Sequence, residues 1–354
     1  MGKGNFLNDS TKLRTADLVD NEIHLEVAHP QPQIAPSEPS TLRTVFVGAD
    51  GLRAGWSLAI FIALMFALLR AATVVLRRLH FFPPGGAGAE LSPGMAFVGE
   101  LIPLLATVLV TWVMSKIEKR PNSVYGLGLN RNFSRIFIGL VWGVAFSSLL
   151  VFTLWKTGLL VVENRLLFGS DALRYGAEWL LAFLMVGMLE EYLFRGYFLF
   201  TLARGLAGIY AWLFKTRHSK ALGFWTAAFA LSILFGLGHG NNPGESPIGL
   251  LSAGLVSVVF CLSLWRTGSL WWAVGCHAAW DWAQSFLYGV ADSGIMAQHH
   301  LLATHPVGKV VMSGGTTGPE GSIFVLPILA LISLVVFFKL PQRSDSNAVV
   351  ATGN

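Results

Sequence analysis

About eight stretches of mostly apolar residues follow one another between residues 54 and 339, each roughly 17 to 25 residues long. A bilayer's hydrocarbon core is about 30 Å thick and takes about 20 helical residues to cross. In lipid the backbone has no water to bond to, so a chain of this kind satisfies its peptide groups within helices. The pattern predicts crossings at about 54–76, 96–117, 135–156, 176–200, 221–240, 248–265, 269–287 and 323–339. The expected fold is all-α: a polytopic membrane helix bundle of about eight transmembrane helices within residues 49–342. A flexible cytoplasmic tail is expected over 1–48, where Ser, Pro, Asn and alternating charges replace apolar runs, and a short C-terminal tail over 343–354.

Composition supports the same class. Hydrophobic residues make up 53% of the chain and charged residues only 13%, with a mean hydropathy of +0.58, which excludes an ordinary soluble domain. The net charge of +5 could suggest nucleic acid, but Lys and Arg lie mostly between the apolar segments, so no nucleic-acid partner is expected. Their distribution orients the chain instead. Lys116, Lys119, Arg120, Arg131 and Arg135 follow the second segment, and Arg204, Lys215, Arg217 and Lys220 follow the fourth. The positive-inside rule then puts both termini in the cytoplasm of a protein integral to the plasma (inner) membrane, against a weaker opposing set of Arg77, Arg78, Lys156, Arg165 and Arg174. The short Arg266-Thr267-Gly268 connection makes segments six and seven antiparallel neighbours, and Gly249, Ser252, Ala253, Gly254 and Ser257 suit segment six to close packing. Residues 288–322, with His299, His300 and His305 at no metal-binding spacing, read as a polar outer loop. Cys261 and Cys276, inside apolar stretches, form no disulfide framework.

Against this apolar background a few ionisable residues stand out. An acid at the centre of a spanning helix costs roughly 2.5–3.5 kcal/mol, so each one requires a partner or a wet cavity. Glu190, Glu191 and Arg195 occupy the fourth segment, His239 ends the fifth, and His277 and Asp281 lie on the seventh. Glu191 and Arg195, four apart, share a helix face and can form a supporting ion pair, whereas Glu190 points about 100° away with its carboxylate available for proton transfer. His277 and Asp281 repeat the i, i+4 spacing, which lets the carboxylate accept from the imidazole. Glu100, near the start of segment two, is a secondary candidate for lining a wet cavity. Arg70 and Glu178 can reach an interface by snorkelling or by their place at a helix end.

In order along the chain, Glu190-Glu191-Tyr192-Leu193-Phe194-Arg195, Phe235 to His239 and His277 to Asp281 resemble the EExxxR, FxxxH and HxxxN elements of the CPBP family. That family comprises the CAAX prenyl proteases and bacteriocin-processing intramembrane proteases, also called Abi. The resemblance covers about residues 176–287 and implies hydrolysis of a peptide bond within the bilayer. It assigns Glu190 to activating water, His239 to assisting it, and the His277/Asp281 element to stabilising the oxyanion, with Glu191, Arg195 and Phe235 in support. The implied substrate is a membrane-associated peptide or protein, prenylated or leader-bearing, reached through the lipid bilayer. Asp281 departs from the pattern, because an ionised carboxylate cannot donate to an oxyanion as Asn does. Two other uses are open to it. It can fix the His277 tautomer, the favoured role, or join Glu190, His239 and His277 as ligands of a divalent metal such as Zn²⁺. Two other functions employ the same buried set: a non-catalytic membrane scaffold, and a proton-coupled transporter, the latter weakened by the absence of an internal repeat.

Overall fold

The computed structural model describes residues 45–48, 50–79, 90–128 and 133–342. The expected C-terminal tail over 343–354 and positions 1–44 of the expected N-terminal tail lie outside the described residues. Nine helices of eight or more α-helical residues are described: α1 Ala54–Arg78, α2 Pro93–Ile117, α3 Arg135–Lys156, α4 Gly169–Glu190, α5 Leu199–Phe214, α6 Ser219–Gly238, α7 Pro247–Thr267, α8 Trp271–Trp282 and α9 Val325–Lys339. Each predicted crossing is helical. Six helical runs are long and apolar enough to span a bilayer, counting Gly169–Phe214 as one, while α8 and α9 have 12 and 15 residues. The chain is an all-α polytopic membrane bundle. Its outward faces carry side chains such as Phe66, Val141, Ile233 and Phe338, an apolar exterior suited to lipid.

Local chemistry sets several boundaries. Ser92 caps α2 by accepting from the Met95 N–H with Pro93 at the first helical position, and Ser246 with Pro247 does the same for α7 through the Gly249 N–H. Gly268, in the left-handed conformation at φ 65°, ends α7. One boundary differs from expectation. The fourth crossing does not stop near residue 200 but continues to Phe214, a run of 46 residues. Arg204, expected in a basic loop, is therefore helical. It bonds the Leu52 carbonyl at 3.1 Å and lies 3.9 Å from Glu118, so its charge is met within the protein and does not break the helix. Buried Glu118 also accepts from the Tyr197 hydroxyl at 3.0 Å, tying α2 to the α4–α5 run.

The short connection between α7 and α8 does not make them a packed hairpin. α8 packs chiefly on α3 and α4. Glycines explain the choice: a Cβ on Gly139 would overlap the Trp272 carbonyl, one on Gly143 the Cys276 carbonyl, and one on Gly275 the Ile136 carbonyl. The two backbones thus touch through Gly139, Gly143 and Gly275, the close approach that small residues allow between membrane helices. Gly143→Ala is expected to lower stability by about 1–3 kcal/mol through overpacking. A lowered midpoint of thermal unfolding in detergent checks this, and an unchanged midpoint would exclude the crossing as drawn. The small residues of α7 face α6: Ser257 and Ser232 share a 2.7 Å hydrogen bond, and Gly236 lies against Leu250 and Gly254.

Residues 288–322, expected to be a polar loop, form a folded cap. Strand β5 (Met296–Ala297) runs parallel to β3 (Glu90–Leu91), and β6 (Leu302–Pro306) pairs antiparallel with β4 (Leu160–Arg165), while β1 (Val47–Gly48) and β2 (Gly51–Leu52) make a separate ribbon. The three cap histidines are apart in role. His299 stacks on Tyr175, His300 bonds the Leu302 carbonyl, and His305 lies 3.1 Å from Glu163.

Candidate active site

α4 keeps α-helical geometry as far as Glu190, and the following Glu191–Phe198 wind as a π-helix before α5 resumes. A second π-helical stretch, Ala283–Tyr288, follows α8 just after Asp281. π-turns are rare and recur at functional sites. Within the first, Arg195 Nη1 donates to Glu191 Oε1 at 3.0 Å, with both side chains almost fully buried. The guanidinium lies over the Phe235 ring of α6 at 4.2 Å and near Phe260 of α7 at 5.7 Å. Aromatic faces stabilise a desolvated cation, so Phe235 couples the first motif to the second.

The same Glu191 Oε1 stands 3.1 Å from His277 Nδ1. A carboxylate accepts only, so this contact fixes the proton on Nδ1 and leaves Nε2 facing the other way. There it meets two carboxylates, Glu190 Oε2 and Asp281 Oδ2, each at 3.6 Å. The role favoured for Asp281 from sequence, orienting the imidazole, thus belongs to Glu191. The nearest approach of Asp281, one turn further along α8, is to Nε2.

His239 follows α6 in a short 3₁₀ turn, His239–Asn241, and its Nδ1 bonds the Phe235 carbonyl at 2.9 Å, leaving Nε2 available. It is related to the other three residues by a shared cavity rather than a direct hydrogen bond. That cavity, about 390 Å³, is bordered by Glu190, His239, His277 and Asp281. Glu100, the secondary candidate of segment two, borders it too. A smaller lobe of about 50 Å³ shares His239, His277 and Asp281 and is walled by Val256, Phe260, Leu329 and Ile332. About one helical turn, roughly 5.4 Å, separates the level of Phe235 on α6 from that of His239 just beyond its end. The cavity spans that difference in depth, and at about 30 Å³ per water it has room for several. Tyr288 has a structural bond, donating to Ser148 at 2.7 Å, and Glu178 pairs with Arg174 at 2.8 Å near the start of α4.

The cap contributes residues that no sequence signal singled out. Asp292 and Ser293 line the larger lobe and Glu320 the smaller. Gln284, in the second π-stretch, donates from Nε2 to Asp292 at 3.3 Å and Glu320 at 3.5 Å. Ser293 Oγ donates to Glu320 at 2.7 Å, and Asn242 bonds the Ser293 carbonyl at 3.0 Å. Burial, then the neighbouring Glu320 and Glu190, hold the Asp292 carboxyl well above the usual carboxylate range. Burial likewise raises Glu245, at the foot of the α6–α7 turn.

The four candidate residues offer N and O donors in kind, but among the described residues no three His, Cys, Asp or Glu side chains converge closely enough to hold one metal ion.

Residues 173–283 match the family described as type II CAAX prenyl endopeptidase Rce1-like. Over that segment the chain is CPBP-like. The matched segment runs from α4 into the second π-stretch, so it contains all three motifs and the elements that border the cavity on that side. It agrees closely with the 176–287 expected from the motifs. No curated protein and no solved structure matches the chain. The matched family is one of proteases, which supports a hydrolase in general terms.

Proposed function

We propose that this protein is an intramembrane endopeptidase that hydrolyses a peptide bond of a membrane-associated substrate, prenylated or leader-bearing, with Glu190 as the general base. The observation carrying this reading is the position of the Glu190 carboxylate, facing a cavity large enough for water and 3.6 Å from an imidazole whose other nitrogen is bonded to Glu191. In the proposed reaction Glu190 takes a proton from water as the water oxygen adds to the substrate carbonyl. It then delivers that proton to the departing amine nitrogen, so one water is consumed and a carboxylic acid and an amine are released. His239 and His277 border the same cavity and, when protonated, can donate from Nε2 to the tetrahedral oxyanion. Asp281 serves in this scheme as an acceptor that steadies the Nε2 side of His277, not as an oxyanion donor.

Both termini are proposed to be cytoplasmic, from the distribution of basic residues. The test is cleavage of lipidated reporter peptides by the purified protein in proteoliposomes, with and without chelator, and with metal content measured in the same preparation. Cleavage by wild type and none by His239→Ala is the expected result. Equal cleavage by the two proteins would overturn the assignment of His239. A chelator-sensitive rate with stoichiometric metal would replace the glutamate–histidine scheme with a metal-assisted one. Substrate flux without any proteolysis would favour the transport alternative.

A further inference from the structure

The cap brings a strand to the wall of the catalytic cavity. Leu91 of β3, Ile295, and Met296 and Ala297 of β5 border the larger lobe, together with Glu190, His239 and His277. Among the described residues β5 is paired along one edge only. That pairing with β3 is parallel, with Glu90 opposite Met296 and Leu91 opposite Ala297, and the Gln298 N–H donates to the Leu91 carbonyl at 2.9 Å. Main-chain groups of successive strand residues turn to opposite edges. Gln298 faces β3, so the N–H and C=O of Ala297 face away from it.

Among the described residues neither of these two groups has a hydrogen-bond partner, although Ala297 is only 3% exposed. Buried main-chain donors and acceptors are almost always paired, and an open strand edge is a template for another chain. The substrate has the matching need. In a helix each carbonyl is bonded to an N–H four residues on, so a segment must be drawn out before water can add to one of its carbonyls. Once extended among Phe183, Val186 and Phe194, it carries N–H and C=O groups that apolar side chains cannot satisfy. Pairing with a strand edge satisfies them and sets the register of the peptide, a recurring mode of peptide recognition.

Resting on the endopeptidase reading, we propose that the substrate is held in extended form beside the scissile bond, its main chain pairing with Ala297 on the free edge of β5. One peptide N–H donates to the Ala297 carbonyl, and one peptide carbonyl accepts from the Ala297 N–H. The contact reads main chain and not side chains, so it serves substrates of differing sequence.

The experiment uses the full-length protein in proteoliposomes and a membrane-anchored reporter peptide. The non-scissile amides near the cleaved bond are replaced one at a time by esters, which removes a single N–H and leaves every side chain in place. Because the changes lie in the peptide, folding of the protein is not at issue. At one position the replacement is expected to lower kcat/KM about 10-fold, mainly through KM, while the positions on either side change by less than about 3-fold. A diazirine-bearing residue at the sensitive position, bound to Glu190→Gln protein, is expected to crosslink to residues 295–298. Glu190-dependent cleavage with no sensitive position, or with the sensitive position crosslinked elsewhere, overturns this inference alone. Identical background with wild type and Glu190→Ala overturns the endopeptidase reading and this inference with it.

Discussion

Glu190→Gln is expected to lower kcat by about 10²–10⁴-fold while leaving KM nearly unchanged, because a positioned general base contributes on that scale and the substitution removes the base without altering side-chain shape. Stability should barely move. Among the described residues Glu190 Oε2 has no hydrogen-bond partner, and the side chain is about one-quarter exposed, so the amide replaces a group that contributes little to holding the helices together. Its neighbour provides the contrast. Glu191→Gln keeps an acceptor for Arg195 and His277 but loses the charge both depend on, so it should affect folding and activity together. Single-turnover cleavage with unfolding midpoints for the two variants separates the roles. A Glu190→Gln protein retaining a tenth or more of the wild-type kcat would remove Glu190 from the chemistry.

Arg195→Met is expected to be the most damaging single change to stability, costing about 3–5 kcal/mol, the usual penalty for leaving one member of a buried ion pair uncompensated. Arg195 is only 2% exposed and does two things at once: it neutralises Glu191 and lies on the Phe235 ring, so its loss detaches α6 from the α4–α5 run as well. Lysine is a poor substitute, having no planar face to lay on Phe235. The double variant Glu191→Gln/Arg195→Met should recover part of the loss, since a pair removed as a unit leaves no stranded charge. Unfolding midpoints in detergent across this cycle are the measurement. A single Arg195→Met protein as stable as wild type would make the pair ornamental.

What could be read from sequence follows the range of the interaction. Glu191 with Arg195 is four residues apart on one helix, and the spacing alone predicts the bond that forms. His277 with Asp281 has the same spacing, but the ring's closer acceptor is Glu191, 86 positions earlier, and only the packing of α8 on α4 brings the two together. The partner of α8 was in principle visible: Gly139 and Gly143 form a small-xxx-small pattern, and Gly275 answers it, whereas loop length pointed to α7. Arg204 looked like a loop residue because charge is costly in a spanning helix, and the compensation by Glu118 and the Leu52 carbonyl comes from distant parts of the chain. Asp292 and Glu320 lie in an irregular cap without periodicity. Nothing in their spacing announces that they turn inward.

Because Glu191–Phe198 wind as a π-helix, this stretch holds more residues per turn than the α-helices on either side. Deleting one of them and letting the turn relax to ordinary α geometry would take up the surplus locally, whereas a deletion within α4 itself would rotate everything beyond it by about 100°. Such a deletion in α4 would swing Tyr197 away from Glu118 and Arg204 from Leu52. Over evolutionary time, single-residue gains and losses along this run are expected to be absorbed at the wide turn and not in the α-helical stretches on either side.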